Sequence, residues 1–346
     1  KRQGLIVTAS YIGNLVFLLV GGNLSTRFSK KRVLQVLILI WMAALALFAF
    51  TSNYTVLLIG MALALGSSTL LNTTMNLITP LLFATAPGFF VNFLFFTQEI
   101  GTSGSQYVLG SHADGFAFWQ HTNLVLLILG AVAFVLLLFC NVPEEAAAPA
   151  DAPAQKGGYD WRIIVPYVLV FGFYFIAEHG VMNWMVAYGV DGLGLPQASA
   201  AKYLSVFFGG MMIGRLCLSP LVDKLGALKS LAAFGGVSCV LYLIGSLGGA
   251  VTMPVWAISG LSFSILYPTL VMSIRLYFPA QQVSGAAGTI LSIASLADIL
   301  FNVGFGKLVD MAGYAVSIRV LPLSALAFFI VFMLFTKFCK PTQKLK

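Results

Sequence analysis

The chain has 346 residues, of which 59% are hydrophobic and 9% are charged, and it contains 29 Phe and 34 Gly. This apolar excess excludes an ordinary soluble domain, and the many glycines are typical of a polytopic helical membrane protein, in which small residues let helices approach closely. The net charge of +8 does not indicate nucleic-acid binding, because the basic residues lie at the ends of apolar segments, where they orient helices.

Apolar segments of about 20 residues, each long enough to cross a bilayer as a helix, recur along the chain. Five lie before a polar stretch at 141–160, at residues 4–23, 33–50, 55–82, 87–110 and 122–140. Six lie after it, at residues 162–188, 200–220, 230–249, 252–278, 285–309 and 316–338. The sequence therefore predicts an all-α polytopic membrane protein with eleven spans.

The stretch 141–160 is rich in Pro, Ala and Gly, carries both charge signs and has no apolar period. These properties are typical of a flexible linker. We expect it to join two helix bundles, residues 1–140 and 161–346.

Lys and Arg concentrate on one face of the predicted membrane. Basic residues cluster at 27–32 and again at 337–346, and an even number of spans separates the two clusters. The linker, Lys224 and Lys229 fall on the same face. Because cytoplasmic loops carry an excess of Lys and Arg, the pattern predicts a multi-pass protein of the cell membrane with the linker and the C-terminus in the cytoplasm.

Two loop patterns of the first half recur about 196–197 residues later, on opposite faces of the predicted membrane. Such a spacing indicates tandem duplication. Because the second half has six spans and the first has five, we expect a further helix before Lys1. The corresponding positions are Leu24 with Leu221, Arg27 with Lys224, Arg32 with Lys229, Gly110 with Gly306, and Asp114 with Asp310.

The second copy of the basic loop reads L-x-D-K-x-G over residues 221–226, and the first copy has Thr26 in place of the acid and Ser29 in place of the glycine. Together with the long central linker, these loops resemble those of the major facilitator superfamily. The resemblance covers the whole chain except the absent first helix. The positions that match a gating loop are Arg27, Arg32, Asp223, Lys224 and Gly226.

The resemblance implies two pseudo-symmetric helix bundles, with 11 of 12 helices present. It also implies secondary active transport by alternating access, with the solute held near the membrane midplane. Arg215 and Arg275 lie near the linker-side ends of their spans. We interpret them as snorkelling or gating groups.

A narrower resemblance is to the fucose and hexose proton-symporter branch of this superfamily. It rests on Asn72, Asn76 and Asn92, and on the segments Phe96–Gly101 and Ala177–Trp184. The branch implies a sugar or sugar-like solute and coupling to protons. The resemblance implies coupling carboxylates on the first and fourth helices, but the first helix is absent here and the span of Asn72 has no acid. The coupling residues of the branch therefore cannot simply be carried over to this sequence.

Polar side chains recur every three or four residues in two spans of the first half, and so share one face of each predicted helix. Such a face binds a polyhydroxylated solute or, alternatively, holds neighbouring helices together. The candidates for solute binding are Asn72 and Asn76, beside Ser68, and Gln98, Glu99 and Gln106, beside Thr102.

The second half places ionisable groups at membrane depth, where each costs about 2.5–3.5 kcal/mol and usually faces a cavity. The candidates for solute binding are Glu178, Asn183 and Trp184, with His179 on the face of Asn183, and Asp298 and Asn302 in a polar stripe with Ser292 and Ser295. We expect Glu178 or Asp298 to carry the coupling proton, with Glu99 as the third candidate.

The sequence has no P-loop, no GxSxG motif and no metal-ligand spacing, so it predicts neither an enzyme nor a cofactor or metal site. We expect the partners to be a small solute, a proton or another coupling ion, and the lipid bilayer, and we expect a monomer without nucleic acid. The alternatives are a drug or organic-ion exporter of the same fold, a transport-inactive sensor or receptor, and an intramembrane enzyme.

Overall fold

The computed structural model describes residues 2–21, 27–110, 116–142 and 159–342, and it describes side chains from residue 9 onward except those of 102–110. The described residues of every predicted span are mainly helical. Those of the first half are α1 (Arg2–Val16), α2 (Lys30–Phe50), α3 (Tyr54–Leu82), α4 (Pro87–Gly110) and α5 (Phe116–Phe139).

The spans of the second half are also helical, and several of them are broken into shorter helices. The π-helical turns Phe17–Gly21 and Tyr188–Gly192 directly follow the helices Arg2–Val16 and Trp161–Ala187. The helices are α6 (Trp161–Ala187), α7 (Gln197–Cys217), α8 (Ser219–Leu225), α9 (Ala227–Leu247), α10 (Met253–Ile258), α11 (Gly260–Phe263), α12 (Leu266–Ser273), α13 (Ala280–Ala312), α14 (Tyr314–Ser317) and α15 (Leu321–Phe338).

The all-α prediction is confirmed, since the described residues contain helices and no strand. Within the part of the chain that the structure describes, eight helices are long and apolar enough to cross a membrane, and the bent pair α7–α8 makes a ninth. The remaining two predicted spans are the helices α1 and α4. Helices suit this setting because they satisfy every backbone polar group within the segment itself.

The two halves repeat in structure as well as in sequence. The helices α2 and α9 begin and end 197 residues apart. The pairs α1 with α7, α4 with α13, and α5 with α14–α15 keep nearly the same spacing. This agreement supports the tandem duplication that the loop patterns predict.

The chain forms two compact units. The first contains residues 1–82, 97–158 and 278–292, and the second contains 83–96, 159–277 and 293–346. Each unit therefore includes one short segment from the other half of the sequence. The predicted division at the linker stays a prediction for the two bundles.

Close helix packing in the first unit depends on glycine. A Cβ atom at Gly13 of α1 would overlap the backbone of Ala62 in α3, and one at Gly66 of α3 would overlap the Phe17 ring. The two helices can thus approach to backbone contact, as small residues allow in membranes. The helix α2 packs against both α3 and α5.

The second unit has a dense aromatic core. Trp256 and Tyr242 are fully buried, and their ring centroids lie 5.3 Å apart in a T-shaped arrangement. The Tyr242 hydroxyl donates to the carbonyl oxygen of Ala177, over 3.0 Å, which ties α9 to α6. A buried Tyr usually finds such a partner. These contacts give α6, which carries several candidate site residues, a rigid support.

Gly260 in α11 offers a direct test of this packing. A Cβ atom there would overlap the carbonyl oxygen of Phe207 in α7, whereas one at Gly304 in α13 meets nothing within 4 Å. We expect Gly260→Ala to destabilise the protein by about 1–3 kcal/mol, because the backbone must move.

The measurement is the denaturation temperature of the purified protein in detergent. The matched change Gly304→Ala should leave that temperature unchanged or raise it slightly, since Ala is favoured over Gly in helices by about 0.5–1 kcal/mol. Equal effects of the two substitutions would show that the α7–α11 contact is not tightly packed.

Candidate functional site

A His–Asp pair lies within the second unit, between α6 and α13. The Nδ1 atom of His179 lies 2.6 Å from the Oδ2 atom of Asp298. The Asp298 side chain is 5% exposed and that of His179 is 36% exposed. The carboxylate of Asp298 is thus buried in the protein, whereas the imidazole of His179 is partly accessible.

Asn302 extends this pair into a network. Its Nδ2 atom donates to the Oδ1 atom of Asp298 over 2.9 Å and to the Asp298 carbonyl oxygen over 3.0 Å. Its Oδ1 atom accepts from Asn183 Nδ2 over 3.1 Å and from the indole Nε1 of Trp184 over 3.0 Å. The structure therefore brings together four predicted candidates, Asn183, Trp184, Asp298 and Asn302, and adds His179.

Aromatic rings border the network on two sides. The ring of Phe175 stacks on that of His179, with centroids 5.6 Å apart and planes 7° apart. Trp184 lies against Phe305 with centroids 4.9 Å apart. Flat apolar surfaces beside amide and carboxylate groups suit a ligand that has both apolar faces and hydroxyl groups.

Glu178 is also buried, on the helix turn that carries His179. Its carboxyl group acts electrostatically on the hydroxyls of Tyr174 and Tyr267 and on His179. Successive helix residues point about 100° apart, which explains why Glu178 and His179 have different surroundings.

The first-half candidates form a smaller cluster. Asn72 Nδ2 donates to Gln98 Oε1 over 2.7 Å, which joins α3 to α4 within the first unit. Asn76 is 1% exposed, so its amide lies in the helix packing. Glu99 is half-buried. The predicted candidate Gln106 lies outside the described side chains.

The gating loop of the second half caps a helix of the first half. Asp223 accepts from the backbone N–H of Gly88 through Oδ1, at 2.6 Å, and from that of Phe89 through Oδ2, at 2.9 Å. These amides belong to the first turn of α4, where the N–H groups lack helical partners and the helix dipole favours negative charge. A Cβ atom at position 88 would contact Asp223, so this approach needs glycine. Gly226, with φ of +82°, then ends α8.

Arg215 holds the same segment at a second point. Its Nη1 atom donates to the carbonyl oxygen of Phe95 over 3.2 Å, its Nε atom donates to that of Ser264 over 3.3 Å, and the guanidinium lies 5.3 Å from the centre of the Phe95 ring. The side chain is 4% exposed, so it turns inward instead of snorkelling. The cations of the gating loop are exposed, namely Arg27, Arg32 and Lys224.

Sequence reasoning undervalued two of these residues for different reasons. His179 carried a signal, since it lies four residues before Asn183 on one helix face, and Asn183 was already a candidate. The role of Arg215 had no such signal, because its main partners are backbone carbonyl oxygens. Backbone groups are present at every position and leave no mark in a sequence.

Comparison with known proteins gives one family and several similar proteins. The family model described as Major Facilitator Superfamily matches residues 2–297. A glucose/galactose transporter of Brucella abortus is 25% identical over 338 residues, which cover 90% of this chain and 80% of that protein. A putative glucose/galactose transporter of Helicobacter pylori is 25% identical over 219 residues, which cover 63% of this chain but only 53% of that protein.

Solved structures show the same fold. The fucose:proton symporter of Escherichia coli matches with a TM-score of 0.82 at 19% identity, over 96% of this chain and 90% of that one. The proton:xylose symporter bound to a bromodeoxyglucose matches with a TM-score of 0.73 at 16% identity, over 99% of this chain and 87% of that one.

The Asp223 cap can be tested through the amides that it binds. Asp223→Asn removes the charge while keeping the shape of the side chain, and helix caps contribute about 0.5–2 kcal/mol. We expect hydrogen exchange in residues 83–96 to become several-fold faster, as measured by mass spectrometry of the purified protein. Asp310→Asn, which changes an exposed carboxylate at the end of α13, should leave this segment unchanged. Unaltered exchange in the Asp223 variant would contradict the cap.

Proposed function

The chain belongs to the major facilitator superfamily, and on this basis we propose that it is a proton-coupled transporter of a sugar or sugar-like solute. Similar proteins are membrane transporters and not enzymes. The observation that carries the proposal is the network of His179, Asp298, Asn302, Asn183 and Trp184. It joins a protonatable pair directly to groups that can bind a polyhydroxylated solute.

The chemistry of the network suits a sugar. A hydroxyl group both donates and accepts a hydrogen bond, and so does the side-chain amide of Asn183 or Asn302. The Trp184 indole presents a flat apolar surface with an N–H at its edge. The similar proteins are described as transporters of glucose and galactose, of fucose and of xylose. We propose Asn72 and Gln98 as a further pair of amides that can bind hydroxyl groups.

The His–Asp pair gives a route for coupling. We propose that the coupling proton is held between the two residues, whose Nδ1 and Oδ2 atoms lie within hydrogen-bond distance. Loss of the proton leaves a negative charge on Asp298 that Asn302 must accommodate, and Asn302 in turn positions Asn183 and Trp184. We propose that the bound proton strengthens solute binding, and linkage then requires that solute strengthen proton binding by the same factor.

The contacts that Asp223 and Arg215 make with α4 suggest how access to the site changes between the two membrane faces. Asp223 and Arg215 both hold residues 83–96, a segment of the first half that belongs to the second compact unit. Both contacts lie toward the linker face, where α4 begins. We propose that the linker face is closed while they are made and opens when they are released, as one step of alternating access.

A drug or organic-ion exporter of the same fold is the nearest alternative. An organic-ion site is favoured by a mostly apolar and aromatic surface. The candidate site instead carries two amides, an imidazole and a carboxylate within one hydrogen-bonded network. This polarity favours the sugar-like solute.

The coupling role of Asp298 can be tested in reconstituted vesicles. Asp298→Asn keeps the shape and can still accept from Asn302, but it no longer titrates. We expect accumulation driven by a pH gradient to fall to an in/out ratio of about one, while exchange of solute across equal pH survives, because coupling and binding are separable free energies. Uptake of labelled sugars, beginning with glucose, galactose, fucose and xylose, is the measurement.

Glu178→Gln is the parallel variant and Asp310→Asn is the control that should transport normally. Loss of accumulation only in the Glu178 variant would assign the coupling proton to Glu178 instead of Asp298. If both variants still accumulate solute against its gradient, neither acid carries the proton, and Glu99 is the next candidate.

We also propose that the protein is a monomer in the cell membrane. The linker and the C-terminus would lie in the cytoplasm, because Lys and Arg are in excess on that face. Single cysteines at Ser111 and Ala154, in a background without Cys140, Cys217, Cys239 and Cys339, should react with a membrane-impermeant maleimide from opposite sides. Reaction of both from one side would contradict the predicted number of spans.

A further inference from the structure

An apolar groove of about 630 Å³ lies in the first unit, between α1 with its π-helical turn and α2, with Leu70 of α3 also lining it. Pockets of this size, within about 300–1,000 Å³, commonly hold small molecules. Its lining includes Val16, Val20, Phe28 and Val36, all of which are exposed apolar side chains. On a membrane-spanning unit such a surface is suited to contact with lipid hydrocarbon.

Arginine lies at one end of the groove. Arg32 is among its lining residues, and both Arg27 and Arg32 are exposed. The two lysines between them are engaged elsewhere: Lys30 Nζ donates to Ser284 Oγ over 2.6 Å, and Lys31 Nζ donates to the Leu138 carbonyl oxygen over 2.8 Å. The loop thus directs its lysines to the protein and its guanidinium groups outward. A guanidinium is well suited to binding a phosphate through two hydrogen bonds.

The length of the groove fits one leaflet of the membrane. Its lining residues on α2 run from Arg32 to Ile40, which is roughly 12 Å along a helix at about 1.5 Å per residue. Half of a bilayer's hydrocarbon core is about 15 Å thick. With the arginines at the depth of the lipid headgroups, the apolar part of the groove therefore extends along an acyl chain.

We propose that this groove binds an anionic phospholipid, with one acyl chain between α1 and α2 and the phosphate on Arg32, assisted by Arg27. Basic pockets between transmembrane helices on the cytoplasmic side are suited to anionic headgroups. The bound lipid ties α1 to α2 beside the basic loop of the linker face. This site lies apart from the His179–Asp298 network and does not depend on the solute proposed for it.

Binding can be measured on the full chain purified in detergent. The protein is titrated with phosphatidylglycerol and with phosphatidylcholine of the same acyl chains, and native mass spectrometry counts the lipids bound. We expect one phosphatidylglycerol to bind at least about fivefold more tightly than phosphatidylcholine, since each Lys or Arg contributes about 1 kcal/mol of attraction to anionic lipid.

Two pairs of variants separate the headgroup from the acyl chain. Arg32→Gln should remove the preference for phosphatidylglycerol and Arg32→Lys should retain most of it, while the control Lys229→Gln, at the corresponding exposed position of the second half, should have no effect. Val36→Trp should fill the groove and weaken binding of both lipids at least tenfold, while Val135→Trp, on an exposed face of α5, should not. Each changed residue is exposed or half-buried, and size-exclusion chromatography checks that each variant folds.

Several results would overturn the proposal. Equal affinity of the unmodified protein for the two lipids would exclude recognition of an anionic headgroup. Equal losses in the Arg32 and Lys229 variants would indicate only a diffuse charge effect. Undiminished binding to Val36→Trp would place the lipid elsewhere, and displacement by millimolar inorganic phosphate would make the site one for a free anion. A protein dimer that Val36→Trp dissociates would identify a second copy of the chain as the occupant.

Discussion

A polar group within the hydrocarbon of a membrane must find its partner inside the protein, because lipid chains offer none. The candidate site depends on this constraint. Asp298 is almost fully buried, and its carboxylate and its backbone carbonyl oxygen are bound by His179 and Asn302. The partners of the carboxylate are themselves groups that can exchange a proton or bind a hydroxyl. The need to satisfy one acid therefore brings together the groups to which we assign proton and solute binding.

The same constraint applies to the start of α4, where the first-turn N–H groups have no helical partners. Asp223 supplies the missing acceptors, and Arg215 adds a contact one to two turns further along. Asp223 binds backbone N–H groups of α4, and Arg215 binds a backbone carbonyl oxygen of the same helix. These are the contacts that we propose to be made and broken when access to the site changes.

The two halves repeat each other in the positions of their helices but differ in the polar side chains that these helices carry. The equal spacing of α2 and α9 shows how closely the halves correspond. The second half holds the His–Asp network and the Asp223 cap, whereas the described part of the first half offers the Asn72–Gln98 amide pair and, in its basic loop, Lys30 bound to Ser284. Duplication thus provided the scaffold, and the two copies acquired different polar groups at the positions where helices meet.

The sequence by itself determined the helices, their order and the repeat, because an apolar segment of membrane-spanning length has essentially one way to satisfy its backbone. It also indicated Asn183, Trp184, Asp298 and Asn302, since helical spacing and the cost of burying an acid are visible in one chain. Only the tertiary structure decided that His179 meets Asp298 across 119 positions and that Asn76 lies in the packing. A helical period shows which residues share a face, but not which other helix that face will meet. Contacts such as those of Asp223 and Arg215 end on backbone atoms, which every residue possesses, so three-dimensional packing alone selects them.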